Sequence, residues 1–235
     1  MSYNNLQVNY DGTIYQYSKD PIEGYEKHTN TKGKESYRKY YRKGVTGVLT
    51  AIEKKAGPDF RNNAEEVNLT LTDGEEKYVL NFPVLGQQGD SLDEYTQSLA
   101  TLLPKMQMGK RYSLNNWSMK KGDVINGEVV KYGKKGITLK NEAGEKIKSD
   151  ITYEYIKGKG TAEEKHVKGD VPMLEWKEIA GKNRPTAASK EAQLEYLYGL
   201  LDREINRLSG EKQPETPAPQ SQPKQQVTEN TDLPF

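Results

Sequence analysis

Apolar residues recur at every second position on either side of a turn signal. Val67, Leu69 and Leu71 alternate with polar residues, Asp73-Gly74 follows, and Tyr78, Leu80 and Phe82 resume the alternation. An Asp-Gly pair between alternating runs predicts a β-hairpin over residues 67–82, because a type I′ turn needs positive φ at both central positions. A two-residue turn at 73–74 pairs Leu69 with Tyr78 and Val67 with Leu80, which puts both apolar sets on one face. The period then changes. Leu92, Tyr95, Leu99, Leu102 and Leu103 recur at helical spacing. Ser91-Leu92-Asp93-Glu94 reads as a capping box, with Ser91 as N-cap and Glu94 reaching back, and Pro104 and Gly109 end the helix. Upstream, residues 44–52 read as a strand bent at Gly47. Downstream, residues 111–117, 124–132, 137–140 and 146–155 read as short strands. Lys120-Lys121-Gly122, Gly133-Lys134-Lys135-Gly136 and Asn141-Glu142-Ala143-Gly144 separate them. A last helix is predicted over residues 187–208, where Leu194, Leu197, Leu201, Ile205 and Leu208 form an apolar stripe and Gly210 stops it. That stripe is expected to pack on the chain's own core, the other use being pairing with a second copy.

The order strand, hairpin, helix, further strands predicts a mainly β fold with flanking helices. It suits an OB-fold-like five-stranded Greek-key barrel with a helix between the third and fourth strands, the alternative being a small barrel of another topology. Four regions follow: an N-terminal extension over 1–35, an OB-like domain over 36–182, a C-terminal helix over 183–210 and a tail over 211–235. The extension holds Tyr3, Tyr10, Tyr15, Tyr17 and Tyr25 among polar residues. Either a hairpin through Asp11-Gly12 or an arm added to the barrel fits it.

Composition changes this picture at the tail. Residues 211–235 are rich in Gln and Pro and almost free of aliphatics until Leu233. Such a segment cannot bury enough apolar surface to offset its ordering entropy, so it is expected to be disordered. Its four acids against two lysines give −2, which leaves +3 on residues 1–210 out of a chain total of +1. The chain has no Cys, so disulfides, cysteine-ligated zinc and thiol nucleophiles are excluded. No run approaches the roughly 18 apolar residues of a membrane span, and the N-terminal residues carry no basic-then-apolar leader. A cytoplasmic protein is expected.

Candidate chemistry lies in where cations and rings cluster. Tyr37, Arg38, Lys39, Tyr40, Tyr41, Arg42 and Lys43 put four cations and three rings in seven residues. Cations bind phosphates and release counterions, and ring faces stack on any base. The plainer reading is an edge strand with a solvated basic face. Weaker versions of the pattern are Lys54 and Lys55 with Phe60 and Arg61, Trp117 with Lys120 and Lys121, and Tyr132 with Lys134 and Lys135. Tyr153 and Tyr155 sit two apart and would share a strand face. For each, core packing or surface solubility is the plainer use. Sixteen Tyr against three Phe favours rings that meet water on one side. Enzyme signals are poor. His28 and His166 are the only histidines, and no phosphate-binding glycine loop or nucleophile elbow occurs. No metal and no cofactor is expected.

One of the three Phe residues closes the segment Asp232-Leu233-Pro234-Phe235. This ending resembles the C-terminal tip of bacterial-type single-stranded DNA-binding proteins, and the layout of OB-like body plus tail resembles their phage-encoded members. The family tip carries several consecutive acids, whereas this one reads Glu229-Asn230-Thr231-Asp232. The resemblance implies a non-catalytic protein that coats single-stranded DNA during replication, recombination and repair in a bacterial host's cytoplasm. It also implies that Asp232, Leu233, Pro234 and Phe235 recruit replication and repair enzymes, and it leaves room for a homo-oligomer. The alternative is an adaptor or decoy that uses the tip without binding DNA.

Overall fold

A computed structural model of the chain describes residues 2–9, 11–57, 65–86, 89–157, 159, 161, 163–179 and 181–210. The fold is mixed β/α, with a multi-stranded sheet and two helices, one of them C-terminal. The first four strands are β1 (Ser2–Val8), β2 (Ile14–Ser18), β3 (Glu26–Thr29) and β4 (Glu35–Tyr40). Three longer strands follow, β5 (Val45–Ala56), β6 (Glu65–Asp73) and β7 (Glu76–Pro83), then helix α1 (Glu94–Leu102). Next come β8 (Arg111–Met119), β9 (Val124–Ile125), β10 (Glu128–Val129) and β11 (Lys134–Lys140). The remainder is β12 (Tyr155–Lys157), β13 (Lys165–Val167), β14 (Trp176–Ile179), β15 (Lys182–Pro185) and helix α2 (Ala187–Ser209).

Among the described residues the main sheet has nine strands in the order β11-β8-β5-β6-β7-β1-β2-β4-β3, wider than the five expected. Strand β5 hands over between neighbours. Its first residues pair with β8, and from Val48 onward it pairs with β6, with a register shift between Leu49 and Ala51. The N-terminal stretch is both things expected of it. It forms a hairpin, β1–β2, and it joins the sheet, because β1 runs parallel to β7. The sheet is rolled. Leu6 and Ile14 near one end share a single core with Leu114, Ile137 and Leu139 at the other. The β1–β2 turn closes against β8, where a Cβ on Gly12 would lie 3.2 Å from the Trp117 carbonyl carbon.

Several local expectations shift. The 67–82 hairpin forms, but Leu69 pairs with Leu80, Val67 with Phe82 and Leu71 with Tyr78. Asp73 stays in the strand, opposite Glu76, and bonds Arg111 at 2.9 Å. The turn is therefore Gly74-Glu75, with positive φ at Gly74 and not at Glu75, as a II′ turn requires. The shift moves each partner by two residues, so the apolar faces are preserved. Helix α1 begins two residues later than the capping box implies. Leu92 is held in a β-bridge to Leu85, and Asp93 caps the helix by accepting from the Tyr95 amide at 2.9 Å. The expected strand over 124–132 is instead a hairpin, β9–β10, turning at Asn126-Gly127 with φ of 52° and 83°. That is the Asn-Gly preference of a type I′ turn. The expected strand over 146–155 is mostly irregular, with isolated bridges from Lys146 to Lys140 of β11 and from Tyr153 to Val171.

Helix α2 packs on the chain's own core. Leu197, Leu201, Ile205 and Leu208 are buried in it, each contributing about 1.5–3 kcal/mol relative to exposure. Polar ties fix the helix. Arg207 donates to the Leu103 and Met106 carbonyls at 2.8 and 3.0 Å, just beyond α1. No helix among the described residues is long and apolar enough to cross a membrane.

Candidate nucleic-acid interface

Side chains alternate across a strand, and directly opposite residues share a face. Tyr15 lies opposite Tyr40, and Tyr17 opposite Arg38. Gln7 is opposite Tyr15, and Tyr3 is opposite Lys77. Neighbouring strands thus gather Tyr3, Tyr15, Tyr17, Arg38, Tyr40 and Lys77 on the face turned away from Leu6 and Leu80. The rings and cations touch. The Arg38 guanidinium carbon sits 4.3 Å from the Tyr15 ring centre, and the Tyr15 and Tyr40 rings are 6.3 Å apart. Arg42 lies 5.7 Å over Tyr40 and bonds Glu26 at 2.9 Å. Lys77 lies 5.4 Å over Tyr3, which is 61% exposed. Tyr15 is buried and donates to Gln7 at 3.1 Å, so it serves as the floor on which Arg38 is held. Arg38 Nε is buried and has no acceptor among the described residues.

The other residues of the 37–43 cluster point elsewhere. Tyr37 and Lys39 alternate with Arg38 and Tyr40 and so take the opposite face. Tyr41 packs edge-on to Tyr78 at 5.9 Å against the core, with Lys39 at 5.7 Å over its ring. Burial, with smaller repulsion from Tyr25 and Glu76, pushes the Tyr41 phenol up to about 12. Tyr41 is thus a packing residue. Lys43 is exposed just before β5.

A second group gathers at the ends of β8 and β11. Trp117 lies across Gly136, its cross-strand partner. Lys120, Lys121 and Lys134 are exposed around the β9–β10 hairpin, and Tyr132 is 76% exposed. The β1–β2 turn brings this group beside the tyrosine face. Burial works against the Asp11 charge there, but hydrogen bonds from Thr13, helped by the charge of Lys120, hold its pKa below the usual value.

The other expected contact residues lie elsewhere, and three of them, Lys54, Lys135 and Tyr153, are tied to helices. Lys54 donates to Tyr198 at 2.9 Å and Asp202 at 2.7 Å, clamping α2 to β5. Burial opposes its charge, yet these partners keep its pKa above the usual lysine value. Lys55 is exposed beside Glu53. Lys135 has only 10% of its side chain exposed and pairs with Glu94 at 3.2 Å, bracing α1. Tyr153 accepts from Gln97 of α1 at 2.7 Å, and burial raises its pKa. Tyr155 stands half exposed at the start of β12. Phe60, Arg61 and the segment Asp232, Leu233, Pro234 and Phe235 lie outside the described residues. The sequence pattern alone does not place Tyr3, Tyr15, Tyr17 and Lys77 on one face with Arg38 and Tyr40. The alternation Tyr15-Gln16-Tyr17 was a usable signal, but only the strand order joins it to Arg38. Comparison with family models, with curated proteins and with solved structures gave no match, so the functional reading rests on this chain's own residues.

Proposed function

We propose that the chain binds and protects single-stranded DNA without strong sequence preference, as a non-catalytic coat during replication, recombination and repair. The observation that carries this reading is Arg38 stacked 4.3 Å over Tyr15, beside Tyr40 and Arg42 on one sheet face. Rings supply stacking that every base can use, worth about 1–3 kcal/mol per base, and guanidinium groups supply phosphate contacts. Tyr17, Tyr3 and Lys77 extend the face along the strands, and Trp117, Tyr132, Lys120, Lys121 and Lys134 continue it past the β1–β2 turn.

Strand order supports an OB-type unit over residues 45–140. Its first strand, β5, pairs with the second, β6, and the fourth, β8. The third, β7, pairs with β6, the fifth, β11, pairs with β8, and α1 lies between third and fourth. Strand β1 takes the free edge of β7, adding the tyrosine strands to that unit. The segment 232–235 would recruit replication or repair enzymes by the apolar Leu233, Pro234 and Phe235 side chains. Saturating protein should shield labelled oligo(dT) from a single-strand nuclease and leave it uncut in magnesium alone. Unshielded strand contradicts the coat; cutting contradicts the non-catalytic role. Phe235→Ala should abolish capture of a bacterial helicase or exonuclease while oligo(dT) binding persists, and retained capture would reject the recruiting role.

A further inference from the structure

Strands β14 and β15 form a two-stranded hairpin apart from the main sheet. Its register sets Lys177 directly opposite Arg184, with Lys182 two residues along on the same face. Like charges directly opposite on an antiparallel ladder destabilise it. Lys177, Lys182 and Arg184 are all exposed, and none has an ion-pair or hydrogen-bond partner for its side chain among the described residues. On the opposite face Trp176, paired with Pro185, is 49% exposed. A short isolated hairpin is marginal on its own, yet this one is anchored. The Thr186 amide donates to the Glu175 carbonyl at 2.7 Å, and the Ser189 hydroxyl of α2 reaches the same oxygen at 3.5 Å. The hairpin is therefore seated on the cap of α2. Arg184 also stands on the wall of an open cleft of about 720 Å³, with Pro185, Ala187, Lys190, Glu191 and Leu194. Lys190 in that cleft is neutralised by Asp90, whereas Arg184 is not.

We infer that this hairpin is a second contact surface for a single nucleic-acid strand, with Lys177, Lys182 and Arg184 on phosphates and Trp176 on a base. A polyanion removes the repulsion between Lys177 and Arg184, and the half-exposed Trp176 indole offers ring surface to a base. The inference rests on the proposed strand-binding function and enlarges its footprint: one molecule would engage a longer stretch than the tyrosine face alone.

The test uses the full chain and two probes, an oligo(dT) of about eight nucleotides, within the site size of one OB-type surface, and one of about forty. Lys177→Gln with Arg184→Gln should weaken the long probe by about tenfold. It should flatten the log–log salt slope by about 1.4, two phosphate contacts at 0.7 each, while short-probe binding holds. Trp176→Phe should remove a measurable part of the fluorescence quenching seen with the long probe. If the long probe binds the variants as tightly as the wild type, with the same slope and the same quenching, the second surface is rejected and the tyrosine face stands. If the wild-type chain binds neither probe, the underlying reading fails and the second surface with it.

Discussion

Arg38 shows how one residue's neighbours decide its use. Its guanidinium carbon lies 4.3 Å over the centre of the buried Tyr15 ring, and its buried Nε has no acceptor among the described residues. Arg38→Lys keeps the charge but loses the planar stack. It should weaken oligo(dT) binding while leaving the salt slope near the wild-type value, as read by titration at several salt concentrations. Tyr40→Ala should cost about 1–3 kcal/mol of binding, the worth of one stacked base. Tyr41, next in the chain, should behave differently. Its phenol is raised to about 12 by burial, so its contribution to stability is complete below pH 10, the ordinary tyrosine value, and is lost as pH rises toward 12. Unfolding curves between those values should show falling stability, and Tyr41→Phe should reduce the fall without weakening DNA binding. Composition reveals that 37–43 mixes rings and cations. It does not reveal that strand alternation sends Arg38 and Tyr40 one way and Tyr37, Lys39 and Tyr41 the other.

At the scale of elements, periodic patterns were legible and their edges were not. The apolar alternation of 67–82 and the stripe of α2 both appear where expected, because burial dictates which positions are apolar. The turn lies one residue further on because Asp73 accepts from Arg111 within the strand, which offsets its place opposite Glu76. The start of α1 moved because Leu92 is drawn into a bridge with Leu85. The cation pattern marks Lys54 as a contact candidate, and only α2, far along the chain, supplies its partners Tyr198 and Asp202. Helix α2 should therefore be inseparable from the sheet. Leu201→Ala should cost about 2–5 kcal/mol in urea unfolding, and an unchanged midpoint would contradict its place in the core. The β1–β2 turn is equally constrained. Gly12 has a φ of 87°, and a Cβ there would lie 2.9 Å from Tyr95 Oη. Gly12→Ala should destabilise the chain by more than about 1 kcal/mol, measured in the same way.

At the scale of the molecule, the sequence pattern conveys a β-rich body with a helix after the 67–82 hairpin. It did not convey the parallel pairing of β1 with β7, since no local signal records which sheet edge a distant strand will meet. That pairing joins the N-terminal strands to the rest of the sheet and sets Tyr3 beside Lys77, while the β2–β4 pairing sets Tyr15 and Tyr17 beside Arg38 and Tyr40. Net charge gives little guidance, since +1 for the chain combines an acidic tail with a mildly basic body. Strand binding would draw on local clustering and not on a strongly positive surface. The decisive measurement is a titration of the intact chain with oligo(dT), following tyrosine and tryptophan fluorescence as salt is raised. Quenching should saturate at low salt, and affinity should fall with salt by about 0.7 log units per tenfold for each phosphate contacted. Fluorescence unchanged by oligo(dT) at low salt would contradict strand binding.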